Sequence, residues 1–169
     1  YTAAAQIRGL FDFAAIADVA QRPDLSTHYR ARAVAMLNAS RDLLVHGRTQ
    51  SFASHRDATS EDAFVDGSTV EMLRWNVVGP GDDIFSATLQ HYDRLSTEAG
   101  GYRRLEPELS LTGESQADTY DLSEWIVLDL RIGEIFRRAG NTGRAQTLLD
   151  RVTQAAMAND GLIPELYEP

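Results

Sequence analysis

Apolar residues recur at three- and four-residue intervals along most of this chain. Ile7, Leu10, Phe11, Ala14 and Val19 fall near one face, which predicts an amphipathic helix over roughly residues 2–21. Arg22-Pro23-Asp24 ends it, because proline disfavours α geometry in the residue before it. Ser26 is the expected N-cap of a second helix reaching about His46, with Tyr29, Ala33, Met36, Leu37 and Leu44 as its stripe and Gly47 as its stop. After a polar stretch, Ser60 is expected to open a third helix carrying Phe64, Val65, Val70, Leu73, Arg74 and Val77. Gly79-Pro80-Gly81 breaks it, and Asp82 starts a fourth with Ile84, Phe85, Leu89, Tyr92 and Leu95 inward.

Residues 98–118 form the longest stretch without periodicity, the usual mark of a binding loop inside a compact domain. Asp121 and Glu124 have capping-box spacing before a fifth helix through Trp125, Leu128, Ile132, Ile135 and Phe136. Gly140 closes it. Asn141 caps a sixth helix with Ala145, Leu148, Leu149, Val152 and Ala156, and Asn159-Asp160-Gly161 turns the chain out of it. The expected class is all-α: about six helices in antiparallel pairs, no strand, and residues 1–169 in a single domain. Three pairs make half of a helical toroid, or else a small bundle or short solenoid. No internal repeat supports the last.

Composition narrows function by exclusion. The 169 residues are 43% hydrophobic and 24% charged, as in soluble globular chains. A net charge of −9 argues against a nucleic-acid partner, since nothing would neutralise phosphates. No apolar run approaches the roughly 20 residues of a membrane span. There is no cysteine, so disulfides and thiolate metal sites are out. The four histidines, at 28, 46, 55 and 91, lack ligand spacing, so neither metal nor cofactor is expected; His46 fits a helix-dipole partner. The chain opens on Tyr1 already in helical pattern, and the expectation is a fragment of a longer protein.

The sharpest chemical feature is Glu165, just after a helix-ending turn in Gly161-Leu162-Ile163-Pro164-Glu165. A carboxylate in an apolar run on a loop is a candidate acid or base, because desolvation raises its pKa. The plain alternative is an exposed terminal glutamate. Arg104 has a fork of donors for sugar hydroxyls, or else pairs with Glu106 or Glu108. Trp125 offers an aromatic face to a pyranose, or else belongs to the core with Trp75. Tyr102 lines a pocket or pins its loop.

Taken in order, several segments resemble glycoside hydrolase family 15, the glucoamylase family. Asn159-Asp160-Gly161-Leu162-Ile163-Pro164-Glu165 is similar to the segment carrying the family's catalytic base. Tyr1-Thr2-Ala3-Ala4-Ala5-Gln6-Ile7 resembles the helix after its general-acid segment, and Asp66-Gly67-Ser68 a recurrent helix start. Gly101-Tyr102-Arg103-Arg104 resembles the arginine-bearing sugar-contact loop. Tyr120-Asp121-Leu122-Ser123-Glu124-Trp125 resembles the segment whose tryptophan borders the substrate pocket. Leu166 stands where the family often has glutamine, and Leu105-Glu106-Pro107 departs from its pattern after the arginine; these bear on substrate choice more than fold.

The resemblance implies part of an (α/α)6 barrel, from an inverting, exo-acting glycoside hydrolase that cleaves α-glucosidic bonds. In such enzymes two carboxyl groups stand roughly 6.5–9.5 Å apart, one protonating the leaving oxygen and the other activating a water. It makes Glu165 the general base and Arg104, Trp125, Glu124 and Tyr102 substrate contacts. It implies an α-glucan or glucoside substrate and a general acid upstream of Tyr1, so that the isolated chain is expected to be inactive and to need the rest of its parent barrel. Polymeric glucans are met outside the cell, which points to a secreted or cell-surface parent on substrate class alone. The competing expectations are a non-catalytic helical toroid that binds carbohydrate or protein, and a related disaccharide hydrolase with a differently shaped pocket.

Overall fold

A computed structural model of the chain describes residues 1–56, 65–106 and 119–167. Its helices among the described residues are α1 (Thr2–Val19), α2 (Pro23–Leu44), α3 (Val70–Arg74), α4 (Asp83–His91), α5 (Thr119–Leu122), α6 (Ile126–Arg138) and α7 (Thr142–Ala158), with short 3-10 turns at Gly67–Thr69 and Tyr92–Leu95. Links of three residues force α1 against α2 and α6 against α7 as hairpins, and α3 packs on α6.

The periodic apolar positions explain the packing. Leu128, Ile132, Ile135 and Phe136 turn one face of α6 inward, where they meet Val70, Leu73, Phe85, Tyr92 and Leu95 in a single core with Ile7 of α1. Leu148 of α7 joins it, while Val152 and Ala155 close over Ile126. Tyr92 is fully buried, and its hydroxyl lies 2.9 Å from that of Thr69. Because the Thr69 hydroxyl already donates to the Asp66 carbonyl at 2.8 Å, Tyr92 is the donor in that pair.

Several sequence-derived boundaries hold. The Asp82 carboxylate accepts from the Ile84 N–H at 3.0 Å and caps α4, and the Asn141 side chain accepts from the Arg144 N–H at 3.2 Å and caps α7. Others move. Pro23 occupies the first turn of α2 instead of lying in the break before it, since a proline there loses no helical hydrogen bond. The expected third helix is shorter: Asp66 accepts from the Ser68 N–H at 2.7 Å and starts a turn that leads into α3. Ser60, Phe64, Glu108 and the stretch Gly113-Glu114-Ser115 lie outside the described residues. His46 is buried in the turn after α2, where its Nδ1 accepts from the Thr49 N–H at 3.1 Å.

The largest departure concerns Glu124. No helix begins at Asp121 and runs through Trp125. Glu124–Trp125 forms a short strand, β1, that pairs antiparallel with β2 (Leu166–Tyr167), with Trp125 opposite Leu166. On its other side β1 meets Arg103, and the Trp125 N–H donates to the Tyr102 carbonyl at 2.8 Å. Those tertiary backbone bonds outweigh the local capping pattern, and α6 starts only at Ile126.

Candidate functional site

The β1–β2 pair decides where the candidate residues stand. Gly161 (φ +83°) and Asp160 (φ +52°) reverse the chain at the end of α7, and the Gly161 N–H donates to the Ala156 carbonyl at 2.8 Å. Ile163 and Pro164 then lead to Glu165, which directly precedes Leu166 and so lies beside Trp125 across the strand pair. Leu162 and Ile163 are exposed, at 68% and 51%, and Glu165 is exposed as well. The apolar run therefore does not bury the carboxylate, contrary to the desolvation argument drawn from its sequence.

A different contact holds Glu165. The Tyr120 hydroxyl donates to Glu165 Oε1 at 2.8 Å. The Tyr120 ring meets the Trp125 ring edge to face, with centroids 4.9 Å apart, and its carbonyl accepts from the Trp125 indole N–H at 3.0 Å. The Arg104 guanidinium lies 5.6 Å from the Trp125 ring centroid, within cation–π range. Carboxylate, tyrosine, tryptophan and arginine thus form one continuous surface, built from the end of the chain, α5, β1 and the 101–106 loop. A carboxylate acceptor, guanidinium donors and an aromatic face are the groups that bind a pyranose. The Glu106 carboxylate, the other partner weighed for Arg104, pairs with Arg94 and accepts from the Val65 N–H at 3.3 Å.

The structure sets Glu124 and Tyr102 behind this surface. Glu124 is 3% exposed, and its oxygens are taken by Arg151, by the Thr97 hydroxyl and, at 3.3 Å, by the Gly101 N–H. Tyr102 is 3% exposed and accepts at its hydroxyl from Arg144 at 2.7 Å; burial pushes that phenol up. Neither can present its polar atoms to a sugar without giving up buried partners.

Two residues that the sequence reading passed over complete that underside. Asp129 is fully buried on α6; it accepts from the Tyr102 N–H at 2.8 Å and from Arg151 Nε at 3.0 Å. Burial pushes its carboxyl up to about 7, against the Tyr102 hydrogen bond, which favours the charged form. Arg151 of α7 also donates to the Ala99 carbonyl at 2.7 Å. The signal for Asp129 was available: it occupies an inward position of α6 between Leu128 and Ile132, where a carboxylate requires buried partners.

Among the described residues, no cluster of histidines or carboxylates has the arrangement of a metal site, and no helix is long and apolar enough to cross a membrane. The open cleft between α1, α3 and α6, lined by Arg8, Trp75, Glu134 and Arg138, contains none of the candidate sugar contacts.

No protein-family profile matches the chain, and no curated protein sequence matches it significantly. Solved structures do. A wild-type glycosidase superposes with a TM-score of 0.77 at 23% identity, covering 98% of this chain and 40% of that one. A glycosidase variant with one glutamate replaced by alanine superposes equally well at 23% identity, with the same shares covered. Another such variant, solved in complex with glucose, superposes with a TM-score of 0.77 at 22% identity, over 98% of this chain and 40% of its own. The chain spans about 40% of the length of these glycosidases, and its fold is that of an all-α part of a glycosidase helical toroid.

Proposed function

We propose that this chain carries the base side of the active site of an inverting, exo-acting α-glucosidase of the glucoamylase type. Glu165 is the general base: it takes a proton from the water that attacks the anomeric carbon. The general acid comes from the segment that precedes the α1-like helix in that family, and it protonates the leaving oxygen. Trp125 provides the wall against which the glucosyl ring packs, and Arg104 donates to its hydroxyls. The observation that carries this reading is the Tyr120–Glu165 hydrogen bond, which fixes an exposed carboxylate beside an aromatic–guanidinium surface. The glucose bound to one structural neighbour supports a glucosyl substrate. Exposure of Glu165 fits a base that must reach a water molecule.

The test uses the full-length protein. Wild type and Glu165→Gln are assayed on maltooligosaccharides, isomaltose-type dextrans and trehalose, with the anomer of the released glucose followed by proton NMR. The expected result is initial release of β-glucose by wild type and a loss of about 10²–10⁴-fold in kcat for the variant. Full activity of Glu165→Gln would sink the assignment. Initial release of the non-reducing-end unit of a maltooligosaccharide or dextran as α-glucose would sink the inverting mechanism; trehalose, whose leaving glucose is itself the α anomer, is expected to give one glucose of each anomer.

A further inference from the structure

Arg151 ties together the segments on which the sugar contacts ride. Its Nη2 pairs with Glu124, its Nε with Asp129 at 3.0 Å, and its Nη1 donates to the Ala99 carbonyl at 2.7 Å. Glu124 and Asp129 in turn hold two further amides of the same loop, those of Gly101 and Tyr102. Three consecutive anchors, at residues 99, 101 and 102, therefore stand immediately before Arg104. Glu124 is also the residue before Trp125, and Trp125 is opposite Leu166, next to Glu165. One partly buried guanidinium thus connects the arginine loop, the tryptophan strand and the segment bearing the carboxylate.

Gly101 shows how closely the loop is seated. A β-carbon there would lie 2.9 Å from both Nε and Nη2 of Arg151 and 2.9 Å from the Glu124 carboxyl carbon, closer than real β-carbons approach. Only glycine lets the loop backbone lie against this ion pair. The far side of the loop is held separately, by Arg144 on the Tyr102 hydroxyl and on Asp93 at 2.6 Å.

We propose that Arg151, with Glu124 and Asp129, is the positioning element of the sugar site: it sets the distance between Arg104 and the Trp125–Glu165 strand pair without touching substrate. A planar guanidinium suits the task, because its five donors lie in a fixed fork and here serve three acceptors on three segments. The inference rests on the reading of Glu165, Trp125 and Arg104 as the sugar surface.

The test compares Arg151→Lys, Arg151→Met and Gly101→Ala with wild type in the full-length protein, each checked for folding by circular dichroism. The readouts are KM and kcat on the glucoside turned over best, glucose affinity from tryptophan fluorescence, and hydrogen exchange at the Gly101 and Tyr102 amides. Gly101→Ala removes no charge, so it still reports if Arg151→Met fails to fold. The expected result is faster exchange at both amides and a fall of about ten- to a hundredfold in kcat/KM, carried mainly by KM, with Arg151→Lys between wild type and Arg151→Met. Folded Arg151→Lys and Gly101→Ala proteins with wild-type KM, kcat and glucose affinity would overturn the proposal, whatever their exchange rates. Glu165→Gln, run beside them, separates the two ideas: full activity there removes the base assignment and leaves the Arg151 comparison readable. If wild type neither turns over a glucoside nor binds glucose, both fall.

Discussion

The Tyr120 hydroxyl donates to Glu165 Oε1 across 2.8 Å, joining a residue of α5 to one that lies 45 positions later in the chain. The contact gives an exposed carboxylate a defined direction. The same tyrosine packs on Trp125 through its ring, so the orientation of the carboxylate and the position of the indole are coupled.

Tyr120→Phe keeps the ring contact with Trp125 and removes only the donor. The expected loss is about 3- to 10-fold in kcat/KM, the range of one partly exposed hydrogen bond of roughly 1 kcal/mol, with the melting temperature nearly unchanged. Steady-state kinetics of the full-length variant check it. An unchanged kcat/KM would show that the hydroxyl does not orient Glu165 for chemistry.

The turn before Glu165 depends on backbone conformation. Gly161 has φ +83°, and a β-carbon there would meet no neighbouring atom, so the cost of Gly161→Ala is conformational: about 1 kcal/mol. Asp160 has φ +52°, and Asp160→Gly is expected to recover about as much. Denaturant titration of the two variants should show opposite signs.

Glu71 is a fully buried carboxylate of α3 paired with Arg74 at 3.2 Å and with Arg131 of α6 at 3.1 Å. Glu71→Ala leaves two guanidinium groups facing each other at the α3–α6 contact. Because both arginines are about one-third exposed, the expected loss is about 2–3 kcal/mol, below that of a fully buried pair. Urea unfolding measures it.

Asp129 gives stability a pH dependence whose sign follows from burial. Its folded-state carboxyl is raised to about 7, well above the ordinary carboxylate value of the unfolded chain. The folded state therefore binds more protons than the unfolded state between these values. The contribution of Asp129 is fully present below the ordinary carboxylate range and is lost as pH rises through about 7. Arg151, Glu124 and the Tyr102 N–H are the groups around it. The stability advantage of wild type over Asp129→Asn should be greater at pH 5 than at pH 8. A difference independent of pH between those values would contradict the raised carboxyl.

The sequence by itself determined the helical class and most of its punctuation. Apolar spacing is local information, and so are the caps at Asp82 and Asn141 and the turn at Asn159-Asp160-Gly161, because each depends on groups within about four residues. The order of its segments also pointed to a glycosidase-like toroid, and the superposed glycosidase structures agree at that level. The burial and the partners of Glu124 and Tyr102 were decided only by tertiary structure. In one dimension, Glu124 had capping-box spacing and stood beside a candidate tryptophan. In space its carboxylate pairs with Arg151, and its backbone joins a strand whose partners lie more than 20 and more than 40 residues away. Long-range hydrogen bonds of this kind leave no period in a sequence. For the same reason, Tyr120 could be read as part of a segment but not as the partner of Glu165: their contact exists only because β1 and β2 pair.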